Sequence, residues 1–349
     1  MSGHISNPMD PRRPPEVDKA LHEAERLEWQ TLFWLVAIVI VMGVVAGGSQ
    51  AFRTAWIEDM LSLLAPAFFL ITRWIERLPP SKEFPYGFFR AGSLAFFLSA
   101  AALAAIGGFL LYEGAMGLIK MEHPSIGSRT IFEHQVWLGW LMIGALVFSV
   151  IPPVILGRKK RKLARQINDE VLYIDADTNA ADWQTGVAGI AGVLGIALGL
   201  WWADSAMAVL ISLSILKDGL TGLRLSTTSL LDGAPRKLGS MEIEPDADRI
   251  LDALGERYHG AHIQIRETGR YFRAMVSPQE TPHLPQDMAE ELLDKDHWRL
   301  IEVGVAQRGS WPPPVHRGDK PGGQAGKSKA HDAMRDSSKA GSGDRTESS

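Results

Sequence analysis

Long apolar runs separated by short polar stretches dominate the chain as far as about Leu223. A helix needs about 20 apolar residues to cross the roughly 30 Å hydrocarbon core of a bilayer. Six runs approach or reach that length and predict six transmembrane helices, with Pro66 inside the second and Pro152–Pro153 kinking the fourth. The runs are Thr31–Gly48, Trp56–Trp74, Ala91–Ile119, Val136–Leu156, the apolar part of Tyr173–Trp202, and Ala206–Leu223.

Basic residues cluster at one end of these runs. The stretch "GRKKRKLAR" follows the fourth run, and more Lys and Arg follow the second and sixth, whereas the opposite connections hold only Arg53, Lys120 and Arg129. Short cytoplasmic loops of membrane proteins are enriched in Lys and Arg. The pattern therefore predicts a multi-pass protein of the inner or plasma membrane with both termini cytoplasmic, and a basic stretch that touches anionic lipid.

The sequence changes character after Asp232. "DADRILDALGERY" has helical apolar spacing, "AHIQIRETGRYFRAMVS" alternates as two strands, "PQDMAEELLDKD" is a second helix and "RLIEVGVAQ" a third strand. This α-β-β-α-β order predicts a small α+β, ferredoxin-like domain beside the all-α six-helix transmembrane domain. The expected organisation is a polar N-terminal tail at 1–27, the transmembrane domain at 28–232, the cytoplasmic domain at 236–306 and a disordered tail at 307–349.

Composition adds limits to this picture. The 349 residues carry a net charge of −4, so no global basic field points to nucleic acid. The chain has no cysteine, which excludes disulfides, thiolate metal sites and cysteine nucleophiles. The N-terminus lacks the apolar core of a signal peptide, so the first run is expected to be a retained anchor.

Acidic residues stand at the beginning of the fifth run, where charge is costly. On a helix, Asp175, Asn179 and Asp182 share one face, which Thr178 extends, while Asp177 points elsewhere. Carboxylates inside membranes usually face a polar cavity on an ion or proton path. Oxygen ligands of this kind suit a divalent cation. The alternative for Asp175 and Asp177 is a position among lipid headgroups at the helix N-terminus.

The second run supplies a partner for these residues. Glu58 lies one helical turn from Ser62, and Asp59 is adjacent to Glu58. Neighbouring residues on a helix cannot both face one cavity, so one of Glu58 and Asp59 is expected to be the ligand. Interfacial placement of both acids is the alternative.

The chain resembles the cation diffusion facilitator family of divalent-metal/proton antiporters over about Glu28–Ala306. The resemblance rests on the six runs and on three motifs, "EFPYGFFRAGSLA", "WWADSAMAVLISLSILKDG" and "SLLDGAP". It implies export of a divalent metal from the cytoplasm in exchange for protons, a metallochaperone-like cytoplasmic domain, and no enzymatic activity. A homodimer is also expected, because the small αβ unit offers faces for an isologous contact.

The resemblance also implies a tetrahedral site with one ligand pair from the second run and one from the fifth. These pairs fall on Glu58 with Ser62, or Asp59 with Leu63, and on Thr178 with Asp182. Thr178 replaces the family's usual histidine, so Asn179, Asp175 or Asp59 could serve instead. Some family members bind a second metal through histidines in the loop after the second run. Phe84 and Phe88 stand at these positions here, so this second metal site is expected to be absent. Loss of imidazole shifts the preference towards manganese or ferrous iron, with zinc and cobalt kept open.

Three further interpretations complete the set. His259, His262, His283 and His297 could gather around a regulatory metal, although surface histidines are the simpler explanation. Arg266, Arg270 and Arg273 are expected to be solvated strand and turn charges. Two rival functions remain. One is a membrane-anchored sensor or scaffold whose soluble domain binds a partner. The other is an intramembrane aspartyl protease, which ranks last because this sequence has no Gly-x-Gly-Asp near its membrane acids.

Overall fold

The computed structural model describes residues 14–131, 134–277 and 288–306. The predicted tail at 307–349, the first 13 residues of the predicted N-terminal tail, and His283 lie outside the described residues.

Seven helices form the N-terminal part of the structure. They are α1 Pro15–Val45, α2 Gln50–Ser62, α3 Leu64–Glu76, α4 Ala91–Ile119, α5 Leu138–Ile167, α6 Glu170–Ala197 and α7 Ala203–Leu230. A short antiparallel hairpin, β1 Ser128–Ile131 and β2 His134–Trp137, joins α4 to α5.

Within the described residues, five helical stretches are long and apolar enough to cross a membrane, with α2 and α3 together forming one of them. They carry many exposed large apolar side chains, as lipid-facing helices do. The chain is therefore a multi-pass membrane protein. The stretch of the fifth run, now α6, is not among the five, although its 28 residues are long enough and it packs between α5 and α7. Asp175, Asp177 and Asp182 all lie in its first half.

The second run is broken rather than straight. α2 ends at Ser62 and α3 begins at Leu64, so Pro66 falls in the first turn of α3, where a missing backbone N–H costs no helical hydrogen bond. The other end of α2 is held by the fully buried Asp204 of α7, which accepts hydrogen bonds from Ser49 Oγ at 2.5 Å and Gln50 N at 2.6 Å. α5, in contrast, continues through Pro152–Pro153 as one helix.

The C-terminal domain has the predicted order of elements. It consists of α8 Pro245–Arg257, β3 His262–Thr268, β4 Tyr271–Ser277, α9 Met288–Leu293, a 3₁₀ helix Asp294–Arg299 and β5 Leu300–Val305. Its sheet has the order β3-β4-β5, with β3 antiparallel and β5 parallel to β4. Gly269 adopts φ +63 in the tight turn between β3 and β4, a conformation that favours glycine.

The C-terminal domain packs on one end of the helices, called here the domain face. Tyr271 and Trp298 share an apolar cluster with Leu21 near the beginning of α1 and Ile167 at the end of α5. The beginning of α1 and the C-terminal domain therefore lie at the same face. α1 begins at Pro15, so part of the predicted polar tail is helical and contributes to this contact.

Arginines at this junction are buried, and the prediction that they are solvated was wrong for two of the three. Arg270 is 4% exposed and binds Asp169 at 2.8 Å and Glu76 at 3.0 Å, and Arg273 is 5% exposed and binds Glu302 at 2.6 Å. A buried guanidinium is tolerated only with such charged partners, which the alternating strand pattern does not reveal. The side chain of Arg266 is 42% exposed and binds Asp232 at 3.0 Å.

Candidate functional site

One small cavity between α2, α5 and α6, called here the inner cavity, is lined by three of the carboxylates predicted from the sequence. Glu58 and Asp59 come from α2 and Asp182 comes from α6, so the prediction that only one of the two neighbouring acids faces the cavity was wrong. The cavity has a volume of about 10 Å³, which is close to the space of one water molecule. Ser149 and Thr185 add hydroxyl groups, and the lining, all of it within the described residues, includes no Lys, Arg or His.

Glycine lets α5 and α6 approach at this level. A Cβ on Gly186, which lines the inner cavity, would lie 2.3 Å from Val150 Cγ2 of α5. A side chain there would force the helices apart. The sequence thus places a small residue where the cavity needs a close helix contact.

The carboxylates of the inner cavity repel one another, and Lys160 of α5 is the positive charge that acts on Asp182. Asp59 interacts electrostatically with Asp182, and Asp182 with Glu58. Thr185 Oγ1 donates a hydrogen bond to Glu58 Oε1 at 3.3 Å, whereas Glu58 Oε2 is buried without a partner among the described residues. Repelling carboxylates away from water need a cation or protons, and this cavity offers acceptors for either.

A wider cavity, called here the outer cavity, adjoins the inner one, and Glu58 lines both. Its volume is about 60 Å³, and its polar lining includes Ser62, Asp175, Thr178, Asn179 and Asp218 besides Glu58. The residues from α6 precede Asp182 and those from α2 and α3 follow Glu58, so the outer cavity lies nearer the domain face. The Ser62 hydroxyl donates to the backbone oxygen of Glu58 at 3.0 Å.

Asp175 has a positively charged partner. The fully buried Lys160 of α5 binds Asp175 Oδ2 at 2.5 Å and Glu28 Oε2 of α1 at 2.8 Å. Asn179 Nδ2 donates to the same Asp175 oxygen at 3.1 Å. The seven candidate ligands are thus distributed over two adjoining cavities, with Asp175 held by an ammonium group.

Other predicted positions lie away from the two cavities. Asp177 is half-exposed and pairs with Arg161 at 2.9 Å. Phe84 and Phe88 pack against each other with ring centroids 4.8 Å apart.

Ready-made metal sites are not found. Within residues 14–131, 134–277 and 288–306, no group of three or more His, Cys, Asp and Glu side chains is arranged to hold a metal ion. This statement covers the carboxylates of the inner cavity as well as His259, His262 and His297. A cation in the inner cavity would therefore have to draw these side chains together.

Sequence reasoning missed Asp218 and Lys160. Asp218 interrupts the apolar run of α7 in the same way that Asp182 interrupts α6, so the signal was present. Lys160 was hidden within a basic stretch that predicts surface exposure, but it lies on the buried face of α5 with Gly157 and Ala164.

Comparisons with known proteins identify the family of the transmembrane region. A family model described as the cation efflux transmembrane domain matches residues 31–231. The manganese efflux system protein MneS of Bacillus subtilis is 24% identical over 66% of this chain and 77% of its own length.

Two further relatives have names that refer to metal cations in general and to zinc. The metal cation efflux system protein CzcD of Cupriavidus metallidurans is 29% identical over 65% of this chain and 68% of its own length. The zinc transporter ZitB of Shigella flexneri is 22% identical over 81% of this chain and 85% of its own length. The matched family domain covers α2 to α7 and both cavities, and the chain belongs to the cation efflux (cation diffusion facilitator) family of membrane transporters, whose members are not enzymes.

Proposed function

We propose that this protein exports divalent metal cations from the cytoplasm in exchange for protons, through the carboxylates of the inner cavity. The observation that carries the proposal is the convergence of Glu58, Asp59 and Asp182 on one small cavity that no basic side chain lines. Charge of one sign inside a membrane domain must be neutralised, and a divalent cation and protons are the two species that carboxylates bind. Binding one releases the other, which is the chemical basis of exchange.

The proposed roles follow from position. Asp182 is the central ligand and proton carrier, and Glu58 and Asp59 oppose it from α2. Ser62, Asp175, Thr178 and Asn179, the other candidate ligands, line the way to this site from the domain face. Helices rocking about the fixed site would open it alternately to the two sides.

Manganese or ferrous iron is the favoured cargo. The inner lining offers only carboxylate and hydroxyl oxygens, and the chain contains no cysteine. Oxygen ligands favour manganese over metals that prefer imidazole or thiolate, such as zinc. The manganese efflux protein among the relatives fits this preference, whereas the zinc transporter keeps zinc and cobalt as alternatives to be tested.

The proposed setting in the membrane has α6 as the sixth span beside the five more apolar ones. The domain face is cytoplasmic, so that the basic residues after α3 and α5 lie in the cytoplasm. Residues 236–306 form a metallochaperone-like, ferredoxin-like domain, and two chains associate as a homodimer through it. Chemical cross-linking of the purified protein should trap a dimer, and a monomer at all concentrations would contradict this part.

Uptake of Mn²⁺ into proteoliposomes tests the function. Asp182→Asn keeps the side-chain shape but removes the charge, and it should abolish uptake because it removes the central ligand that also carries the proton. Asp177→Asn is the matched control, since Asp177 lies on the same helix but faces Arg161 at the surface. Equal uptake by Asp182→Asn and the wild type would favour the rival in which the helices only anchor a sensor or scaffold domain.

A further inference from the structure

The outer cavity contains an oxygen atom that lacks a partner. Asn179 is 1% exposed, and its Nδ2 donates to Asp175. This hydrogen bond fixes the orientation of the amide, so Oδ1 is the free atom, and among the described residues it accepts no hydrogen bond. A buried amide oxygen without a hydrogen-bond partner is unfavourable, so the site favours a ligand that supplies positive charge or a donor.

Two carboxylates from other helices line the same cavity. Glu58 comes from α2 and Asp218 from α7, and their charges are close enough to interact. Asp175 is less able to bind a cation, because its Oδ2 already accepts from Lys160 and Asn179. Among the described residues, Glu58 Oε2 and Asn179 Oδ1 are buried acceptors without a hydrogen-bond partner, and Asp218 adds a third acidic or amide side chain to the same cavity.

The two cavities differ sixfold in volume. The outer cavity, at about 60 Å³, holds roughly four to six water molecules, whereas the inner cavity, at about 10 Å³, holds about one, since one water needs about 10–15 Å³ by this measure. A divalent ion can keep much of its hydration shell in the outer cavity but must lose it in the inner one.

We infer that the outer cavity is a second cation site, in which Asp218, Glu58 and Asn179 Oδ1 hold a partly hydrated divalent ion before it moves to Asp59 and Asp182. This inference rests on the proposed function, because it assigns a waiting position on the same path. Asp218 acts there as a ligand from α7, a helix that contributes nothing to the inner cavity. Glu58, which lines both cavities, passes the ion from one to the other.

Selectivity follows from this arrangement. Water-mediated binding in the outer cavity discriminates weakly between divalent ions, whereas entry into the inner cavity requires dehydration. Mg²⁺ gives up its water reluctantly. It should therefore occupy the outer cavity and compete with Mn²⁺ without being transported.

Binding of Mn²⁺ to the purified full-length protein, followed by the electron paramagnetic resonance of free Mn²⁺, tests the inference. Asp182→Asn, which is inactive in transport by the proposed function, should still bind a single ion per chain at the outer cavity. Adding Asp218→Asn to it should weaken this binding by about tenfold or more, as loss of a supporting ligand does. Adding Asp177→Asn instead should leave the binding unchanged, and Asp218→Glu should restore it.

The outcomes separate the inference from the function on which it rests. If Asp182→Asn binds no Mn²⁺, or if the added Asp218→Asn changes nothing, the outer site is wrong and the inner transport site stands. If Asp182→Asn still transports Mn²⁺, the proposed function is wrong. Restoration by Asp218→Glu excludes a folding defect as the cause of the loss.

Discussion

Lys160 shows how much a single side chain contributes to this site. Its ammonium group is fully buried and binds carboxylates from α1 and α6, so it links three helices at the level of the outer cavity. Breaking a buried ion pair costs more than the pair contributes, because the remaining charge is left without a counter-ion. Glu28 and Asp175 would both be left in this condition if Lys160 were lost.

Lys160→Met should lower the apparent melting temperature of the purified protein substantially, with an expected cost of about 3–5 kcal/mol. Thermal unfolding monitored by tryptophan fluorescence measures the change. Lys159→Met is the matched control, because Lys159 is the preceding residue of the same basic stretch and is exposed. Equal melting temperatures for the two variants would show that Lys160 is not a structural counter-ion.

Sequence patterns predict the acids of the site better than their partners. Asp182 and Glu58 stand out because charge is costly in an apolar run, and both line the inner cavity. The partner of Asp175 could not be found in this way, since Lys160 comes from another helix and pairing across helices depends on tertiary packing. Which acids share a cavity depends equally on the relative depth of the helices, which the sequence does not give.

At the scale of elements, the contact between α5 and α6 sets the position of the ligands on α6. A Cβ on Gly157 would lie 2.8 Å from the backbone oxygen of Ala176 and 2.9 Å from Asn179 Cβ. Only glycine allows the helices to come this close without displacing backbone. Asn179 therefore owes its orientation partly to a residue on the neighbouring helix.

Gly157→Ala should move α6 away from α5 and raise the KM for Mn²⁺ uptake, since Asn179 and Asp182 move with the helix. Gly144→Ala on the same helix is the control, because a Cβ there meets nothing within 4 Å. Initial rates of uptake over a range of Mn²⁺ concentrations measure the effect. Identical kinetics for both variants would mean that the close contact does not position the site.

The helices themselves were largely predictable from apolar periodicity, as were β3, β4 and β5 from alternation. The early start of α1 was not, because residues 15–27 are polar overall and only one stripe of them, including Leu21 and Ala24, is buried. That stripe packs against apolar residues of α5 and α3 and against Tyr271 and Trp298 of the C-terminal domain, so its role appears only in the assembled structure.

At the scale of the whole molecule, the C-terminal domain is fixed to the helices by a charged junction. Asp169 accepts a hydrogen bond from Leu172 N at the beginning of α6 and binds Arg270 of the domain at 2.8 Å. Glu76 at the end of α3 binds the same guanidinium at 3.0 Å. The junction therefore links the domain to α6, which supplies Asp182, and to α3, which follows α2 in the chain.

A cavity at this junction contains an acid whose ionisation is costly. Burial raises the pKa of Glu267 from 4.5 to about 7, although the positive charge of Arg299 opposes this shift. The folded state then binds a proton more tightly than the unfolded chain, so stability must fall as pH rises from about 4.5 through about 7. Arg236, Glu244 and Arg299 are the charged groups that act on this carboxyl.

Glu267→Gln mimics the protonated form and should remove this dependence. The melting temperatures of the variant and the wild type should be similar near pH 5 and diverge towards pH 8, where the variant should be the more stable protein. Glu242→Gln is the control, because Glu242 is an exposed acid paired with Lys237 at the surface. A constant difference between Glu267→Gln and wild type from pH 5 to 8 would contradict the prediction.

The central claim is that the same carboxylates carry metal and protons in opposite directions. Simultaneous recording of Mn²⁺ and proton fluxes in proteoliposomes, with a pH-sensitive dye trapped inside, tests it most directly. A Mn²⁺ gradient should drive protons the opposite way through the wild type and Asp177→Asn but not through Asp182→Asn. Mn²⁺ flux without any counter-movement of protons in the wild type would contradict the account.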